Sequence, residues 1–188
     1  SVTSHPLAGT APKFHDADSD EMSRQKLLDS TKDAYEHRVT IEWLLNELLP
    51  FCSYIDADPE PKIVSLEHVH HLGTEVAGQL STPACSILEL VNALHPTPAV
   101  GGDPQTEALA IIKRVEGIDR RRYAGPVGWM AADGDGEFAV GIRSAEVKAN
   151  TARLFAGVGL VEDSDPQSEL EETEAKFKTM LNTFLSTT

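Results

Sequence analysis

The first clear pattern along the chain is a helical one. Apolar residues recur at intervals of three and four over residues 23–51, which predicts one long helix that stops near Pro50. Its apolar positions are Leu27, Leu28, Tyr35, Val39, Trp43 and Leu44. Shorter helices are predicted at 86–94 and 104–116, separated by a His-Pro-Thr-Pro run that cannot be helical. The polar stretch 11–22 lacks this period and is expected to be mobile.

Other segments show the patterns of strands. Residues 1–10 are expected to be extended, and residues 64–76 alternate as a strand does. Two strand-like runs, 123–132 and 137–147, are joined by Asp-Gly-Asp-Gly, which is typical of a hairpin turn. A third strand is predicted over 153–160. Antiparallel strands beside long helices predict the α+β class, with mixed, mostly antiparallel sheets flanked by helices.

Composition limits the possible partners. The chain has 188 residues, which suits one domain, and a formal net charge of −14. That charge argues against nucleic acid or an anionic membrane as the main partner. No apolar run reaches the roughly 18–20 residues that span a bilayer. Two cysteines, Cys52 and Cys85, are too few for a disulfide framework and indicate reduced thiols in a cytoplasmic protein.

A second helical pattern ends the chain and carries charge. Ser164 is the predicted cap and Pro166 lies in the first turn. Glu169, Glu172 and Lys176 then fall at i, i+3 and i+7, so they share one helix face. A separate apolar stripe, expected to face the core, comprises Leu170, Phe177, Met180, Leu181 and Phe184. The charged face either holds a divalent cation against an anionic ligand or is a solvated acidic surface.

A few other side chains are candidates for chemistry. Asp33 and Glu36 form a second acidic face on the first long helix, again either a solvated surface or a set of oxygen ligands for Mg²⁺. His68, His70 and His71 lie close together, but no third zinc ligand follows at a typical spacing. A single functional histidine is therefore favoured over a zinc site.

Arginine and tyrosine in the predicted hairpin suit an anionic ligand. Arg143 lies in an apolar strand, where it either reaches solvent at an edge or binds a carboxylate as a two-pronged donor. Tyr123 begins the partner strand and offers a hydroxyl donor. The three arginines before it, 120–122, are interpreted as surface charge.

Eight segments appear in an order that matches a known family, and together they extend over nearly the whole chain. They are His-Pro-Leu-Ala-Gly-Thr (5–10), Lys-Asp-Ala-Tyr-Glu-His (32–37), Val-His-His-Leu (69–72), Leu-His-Pro-Thr-Pro-Ala-Val (94–100), Asp-Arg-Arg-Arg-Tyr-Ala-Gly-Pro-Val-Gly-Trp (119–129), Ile-Arg-Ser-Ala (142–145), Ala-Gly-Val-Gly-Leu (156–160) and Ser-Asp-Pro-Gln-Ser-Glu-Leu-Glu-Glu-Thr-Glu-Ala-Lys (164–176). The series resembles the chorismate-utilising enzymes, most closely the isochorismate synthases.

The resemblance implies a fold, a metal and a substrate. Residues 1–188 correspond to the C-terminal portion of a single chorismate-binding catalytic domain, of the fold found in anthranilate synthase component I. The implied cofactor is Mg²⁺, bound by Glu36 and Glu172 and supported through water by Asp33 and Glu169. The residues implied to contact chorismate are Gly9, Thr10, Ala99, Tyr123, Arg143, Gly157 and Lys176. His71 matches the active-site histidine, and Ala99 favours the isochorismate branch over relatives that carry threonine there.

The implied reaction is attack of water at ring carbon C2 with loss of the C4 hydroxyl, which needs one general base and one general acid. The family uses a lysine and a glutamate that precede the Gly-Thr motif, whereas here only eight residues precede it. We therefore expect the N-terminal portion to be absent and the chain alone to be inactive. Exposed sheet edges are expected to bind that N-terminal half or a second copy. The alternatives are a salicylate or anthranilate synthase, or a non-catalytic chorismate-binding module. Isochorismate is used in siderophore and in menaquinone biosynthesis, and the sequence leaves both pathways open.

Overall fold

The chain begins with two strands, and helices follow in its first half, its middle and at the end of the described residues. The computed structural model describes residues 1–67 and 69–185. Its α-helices are α1 (Ala17–Leu28), α2 (Thr31–Leu48), α3 (Ile87–Leu94), α4 (Pro98–Gly101), α5 (Gln105–Val115) and α6 (Pro166–Leu185). A turn of 3₁₀-helix, Leu49–Phe51, ends α2 where Pro50 was expected to stop it. Ser86 caps α3 through a capping box with Glu89, which explains why the predicted helix begins there.

The strands pair antiparallel throughout the described residues. They are β1 (Val2–Ser4), β2 (Leu7–Pro12), β3 (Cys52–Ala57), β4 (Lys62–Ser65), β5 (Val69–Gly73), β6 (Val76–Leu80), β7 (Pro126–Met130), β8 (Gly136–Val140), β9 (Ser144–Lys148) and β10 (Thr151–Phe155). They form two three-stranded sheets, of order β1-β6-β3 and β2-β5-β4, and two hairpins, β7-β8 and β9-β10. The predicted α+β class is confirmed.

The chain divides into two units. The first comprises residues 1–99 and 132–135, and it contains both three-stranded sheets with α1, α2 and α3. The second comprises residues 100–131 and the described residues from 136 onward, with both hairpins, α5 and α6. The helix α4 lies at the boundary in sequence. In the part of the chain that the structure describes, no helix is long and apolar enough to cross a membrane.

The single helix predicted over 23–51 is two helices, and the expectation of a mobile segment at 11–22 is wrong. Asp16 accepts the Ser19 backbone N–H at 2.9 Å and thereby starts α1. Ser30 accepts the Asp33 backbone N–H at 3.2 Å and starts α2. Each cap satisfies N–H groups that a helix start leaves open, so the chain breaks its helix at residues 29–30.

The segment 64–76, predicted as one strand, contains parts of three. It includes the end of β4, all of β5 and the first residue of β6. The Leu66 N–H donates to the Val69 carbonyl at 2.8 Å, which closes the tight connection between β4 and β5. His68 lies outside the described residues, so the histidine pair considered for zinc is not described.

The core of the first unit lies between α2, α3 and the sheet β1-β6-β3. Leu44, Leu48, Val76 and Leu90 form its buried cluster. The inner face of α2 differs from the predicted one, because Tyr35 is 56% exposed whereas His37 is 3% exposed. The His37 Nε2 atom lies 2.7 Å from the Thr74 hydroxyl, and this hydrogen bond makes a buried imidazole tolerable.

The second unit contains the predicted hairpin with shorter strands. β7 and β8 pair with Gly128 opposite Phe138, so the Asp-Gly-Asp-Gly turn is confirmed. The run 137–147 is broken, because β8 ends at Val140 and β9 begins at Ser144. The third predicted strand ends at Phe155.

The helix α6 begins at Pro166 as predicted, but two details differ. Its cap is Asp165, which accepts the Ser168 backbone N–H at 2.9 Å, and not Ser164. Its apolar stripe is only partly covered, because Leu170, Leu181 and Phe184 are 53%, 43% and 41% exposed, whereas Phe177 and Met180 are half-buried. Glu169, on the charged face, is 5% exposed.

Leu48 and its neighbour Leu49 provide a matched test of the first core. Leu48 is 1% exposed and Leu49 is 55% exposed. We expect Leu48→Ala to lower the free energy of unfolding by about 2–5 kcal/mol, because it leaves a cavity. Leu49→Ala should change it by no more than about 0.5 kcal/mol. Urea unfolding followed by Trp43 fluorescence in a Trp129→Phe background measures both, and equal losses would contradict the assignment of Leu48 to the core.

Candidate active site

Two groups of predicted site residues emerge, one in each unit. The first unit holds Gly9, Thr10, Asp33, Glu36 and His71, and the second holds Tyr123, Arg143, Gly157, Glu169, Glu172 and Lys176. Ala99 lies in α4 with its side chain exposed, and no hydrogen bond given for the described residues joins it to either group. Each group is described within its own unit.

His71 lies on β5, opposite an irregularity in β2. The pairing of these strands shifts register between Ala8 and Ala11, which turns Gly9 and Thr10 out of the regular ladder. The His71 Nδ1 atom lies 2.7 Å from the Gly9 carbonyl oxygen and 3.3 Å from the Thr10 hydroxyl. A carbonyl oxygen only accepts, so Nδ1 carries the hydrogen in the neutral ring. The second ring nitrogen, Nε2, is then the one that accepts a proton.

Gly9 also fits closely against α2. Its backbone is left-handed, with φ of +65°, and a Cβ atom at this position would lie 2.8 Å from Asp33 Oδ1. Asp33 is held in place, because its backbone N–H donates to the Ser30 hydroxyl, which in turn donates to the Asp33 carboxylate. Glycine is therefore required at position 9 both for its backbone angle and for its lack of a side chain.

Glu36 lies one turn beyond Asp33 on the same helix. Its side chain is 29% exposed, and its Oε1 atom is 3.9 Å from the Lys32 ammonium. The Asp33–Glu36 face is thus half-buried and partly solvated. The adjacent His37 is held neutral more firmly than a free histidine, because burial lowers its pKa and the charge of His5 adds to this.

Tyr123, Gly157 and Lys176 meet in the second unit. The Tyr123 ring stacks on Phe155, with centroids 5.2 Å apart and planes inclined by 13°. Its hydroxyl lies 3.0 Å from the position that a Cβ of residue 157 would take. Lys176 donates from Nζ to the Gly157 carbonyl at 3.2 Å. Tyr123 lies in the turn before β7 and does not begin that strand as expected.

Burial raises the pKa of Tyr123, while the positive charges of Arg120 and Arg143 act in the opposite direction. The phenol therefore keeps its proton at neutral pH and is a hydrogen-bond donor. Arg143 is half-buried and lies in the connection between β8 and β9, with a left-handed φ of 48°. The prediction that it lies within a strand is wrong, because β8 ends at Val140 and β9 begins at Ser144.

The three charged residues predicted to share a face of α6 do so. Lys176 Nζ and Glu172 Oε1 are 2.7 Å apart, and these side chains are 16% and 39% exposed. Glu169 accepts a hydrogen bond of 2.8 Å from the Ser164 hydroxyl. Ser164 thus supports a carboxylate, although it was expected only to cap the helix. A cation and a hydroxyl compensate the two carboxylates.

Each unit offers carboxylates of the kind that bind a hard cation. Asp33, Glu36, Glu169 and Glu172 offer oxygen atoms, which Mg²⁺ prefers. Among residues 1–67 and 69–185, no group of three or more histidine, cysteine, aspartate or glutamate side chains is arranged to hold a metal ion. A buried glutamate such as Glu169 is nevertheless the kind of carboxylate that a bound cation stabilises.

Two residues beside the second group were not predicted as site residues. Phe155, which stacks on Tyr123, lies in the predicted strand 153–160. Arg120 was interpreted as surface charge, yet its guanidinium binds Glu116 and lies 5.9 Å from the Tyr123 ring centroid. The spacing of Glu116 and Arg120, four residues apart at the end of a predicted helix, was the available signal.

Comparison with known proteins identifies the class to which this fold and these residues belong. The profile of the chorismate binding enzymes matches residues 1–185. The chain belongs to this family. It is 43% identical over 180 residues to the isochorismate synthase DhbC of Bacillus subtilis, covering 96% of this chain and 45% of that protein.

Solved structures agree in fold. A Bacillus anthracis crystal structure, assigned as a 2,3-dihydroxybenzoate-specific isochorismate synthase DhbC, matches with a TM-score of 0.92 and 46% identity, over 96% of this chain and 48% of that one. Anthranilate synthase component I from Streptococcus pneumoniae matches with a TM-score of 0.81 and 29% identity, over 95% and 39%. The predicted anthranilate synthase component I-like fold is confirmed. The chain spans about half the length of the relatives it matches.

Gly9 can be tested against a glycine with nearly the same backbone angle. Gly117 has φ of +69°, and a Cβ atom added there would have nothing within 4 Å, whereas one added at Gly9 would meet Asp33. Both changes to alanine incur the left-handed penalty of about 1–2 kcal/mol. We expect Gly9→Ala to lower the free energy of unfolding by a further ~1–3 kcal/mol, because Asp33 must move. Urea unfolding followed by circular dichroism measures both, and equal losses would show that Asp33 gives way freely.

Proposed function

We propose that this chain carries the metal- and carboxylate-binding part of a Mg²⁺-dependent isochorismate synthase. Such an enzyme interconverts chorismate and isochorismate by adding water at C2 and losing the C4 hydroxyl. The observation that carries the proposal is the 43% identity to the isochorismate synthase DhbC over 96% of this chain. The vibriobactin-specific isochorismate synthase of Vibrio cholerae, 42% identical over 180 residues, supports the same reaction.

The second unit supplies donors for a carboxylate group of chorismate. The Lys176 ammonium and the Tyr123 hydroxyl lie beside Gly157, and Arg143 belongs to the same unit. Positive groups are needed there, because the chain has a net charge of −14 and would otherwise repel an anion. Charge-assisted hydrogen bonds from lysine and arginine are among the strongest that a carboxylate accepts. The Gly157 backbone permits the close approach that a side chain would block.

The proposed metal ligands are Glu36 and Glu172, with Asp33 and Glu169 as supporting carboxylates. The resemblance assigns these roles, and the carboxylate chemistry of all four residues supports it. When bound, Mg²⁺ supplies positive charge that neutralises the substrate carboxylate and orients it. In the structure Lys176 neutralises Glu172 at 2.7 Å, so this ammonium is placed to move between the glutamate and an anionic ligand.

His71 is the proposed active-site histidine. The Gly9 carbonyl fixes its tautomer, with the hydrogen on Nδ1 and the lone pair on Nε2. The resemblance gives the general base and general acid to a lysine and a glutamate that precede the Gly-Thr motif. We therefore propose that the acid and base come from residues outside 1–188 and that the 188-residue chain alone is inactive.

The exposed apolar surface of the second unit supports a partner for this chain. Val127, Trp129 and Met130 of β7 are 61%, 57% and 48% exposed. The relatives are about twice as long, so the proposed occupant is the part of a full-length enzyme that this chain does not match. A second copy of this chain is the alternative occupant.

We also propose a cytoplasmic location for the protein. The free thiols Cys52 and Cys85 support it.

Product analysis tests the proposed reaction. Chorismate and Mg²⁺ are incubated with the 188-residue chain, with full-length Bacillus subtilis DhbC, and without protein, and the products are separated by chromatography. Binding of chorismate to the chain is measured in parallel by calorimetry. We expect Mg²⁺-dependent binding by the chain and isochorismate only from DhbC. Isochorismate from the chain alone would overturn the assignment of the acid and base, and absence of binding would overturn the proposed function.

Two neighbouring glutamates test the metal assignment. Glu172 is proposed to bind Mg²⁺, whereas the Glu171 carboxylate accepts a hydrogen bond from Gln167 at an exposed position. We expect Glu172→Gln to weaken Mg²⁺-dependent chorismate binding roughly tenfold to a hundredfold, because a charged ligand is lost. Glu171→Gln should leave the dissociation constant within about twofold. Equal weakening in both variants, measured by calorimetry across a Mg²⁺ series, would show that the metal-binding face is wrongly assigned.

A further inference from the structure

The three consecutive arginines before Tyr123 have different environments. Arg122 is exposed, and Arg121 forms an ion pair of 2.9 Å with Glu146 in which the arginine side chain is 52% exposed. The Arg120 side chain is 26% exposed and lies in the connection between α5 and β7. The interpretation of 120–122 as surface charge therefore fails for Arg120 alone.

The guanidinium of Arg120 is fixed at three points. Nε and Nη2 donate to the two carboxylate oxygens of Glu116 at 2.7 and 2.5 Å. Nη1 donates to the Val100 carbonyl at 2.7 Å. A planar group with three directed hydrogen bonds cannot rotate without breaking at least one of them. The pair with Glu116 alone would be an ordinary helix-end ion pair, but the bond to Val100 ties it to a second segment of the unit.

The fixed guanidinium holds the Tyr123 ring. The Arg120 Cζ atom lies 5.9 Å from the ring centroid, within the range of a cation–π contact. The Tyr123 backbone N–H donates to the Arg120 carbonyl at 2.8 Å, so both the backbone and the ring are joined to this residue. Phe155 stacks on the ring as well. The remaining freedom of the ring is small, and its hydroxyl is directed to Gly157.

We propose that Arg120 is a positioning residue that holds the Tyr123 hydroxyl at Gly157 for contact with a substrate carboxylate. The identity of the substrate rests on the proposed function, whereas the position of the Tyr123 ring rests on contacts within the second unit. Lysine would keep the charge at position 120 but lose the planar, three-point attachment. The Tyr123 hydroxyl is useful to a ligand only if the ring is held, so the effects of residues 120 and 123 are coupled.

A double-mutant cycle tests this coupling. Chorismate binding is measured by calorimetry with Mg²⁺ for Arg120→Lys and for the exposed control Arg122→Lys, each in the native and in the Tyr123→Phe background. We expect Arg120→Lys to weaken binding roughly tenfold in the native background and less than about twofold with Tyr123→Phe. Arg122→Lys should have no effect in either background. Equal weakening by Arg120→Lys in both backgrounds would overturn the proposal, because a merely structural role would produce it.

A second readout does not depend on chorismate. The chain has three tyrosines, so ring signals of ¹³C-labelled tyrosine are assigned to Tyr123 by their loss in Tyr123→Phe. We expect Arg120→Lys to shift the Tyr123 signals and Arg122→Lys to leave them in place, with circular dichroism showing that both variants are folded. Unchanged Tyr123 signals in a folded Arg120→Lys variant would overturn the placement. If the native chain binds no chorismate, the proposed function fails, while these signals still decide whether Arg120 holds the ring.

Discussion

Compensation of acidic side chains by nearby donors is the constraint on which both groups of site residues depend. The chain carries 30 acidic and 16 basic residues, so a carboxylate that is withdrawn from water needs a specific partner. Lys176 forms an ion pair with Glu172. The Ser164 hydroxyl donates a hydrogen bond to Glu169, and the Ser30 hydroxyl donates one to Asp33. The same donors determine where each carboxylate points. An acidic protein can therefore keep a group of half-buried carboxylates ordered before any cation or substrate arrives.

Backbone irregularity is the second means by which this fold places chemistry. The register shift in β2 brings the Gly9 carbonyl to the His71 ring, and the left-handed angle at Arg143 turns the chain between β8 and β9. Regular strands would alternate these side chains between two faces and could not direct them independently. Two of the residues with left-handed backbone angles, Gly9 and Arg143, are among those to which the resemblance gives a role in binding. Strain of this kind is commonly retained at functional sites.

Much of the fold could be predicted from local patterns, and the errors have physical causes. The hairpin turn, α3, α5 and the start of α6 were predicted because the signals that mark them, turn residues, prolines and apolar spacing, act over a few residues of sequence. The long helix over 23–51 was wrong because apolar spacing continues across residues 29–30, where the caps interrupt it. Tyr35 and Leu170 were wrongly placed inside, since periodicity identifies an apolar face but not which face meets the rest of the chain. Arg120 was missed because its second attachment, the Val100 carbonyl, lies 20 residues away.

The rotation of α6 about its axis determines both the compensation of its carboxylates and the exposure of its apolar residues. Glu169 is buried and compensated, while Leu170, Leu181 and Phe184 remain 41–53% exposed on the same helix. Turning Leu170 inward would rotate Glu169 away from Ser164 and break their hydrogen bond. The hydrogen bonds of Glu169 and Lys176 thus fix the rotation of the helix, and Leu170, Leu181 and Phe184 stay at the surface. The site chemistry and the exposed stripe are two consequences of one helix orientation.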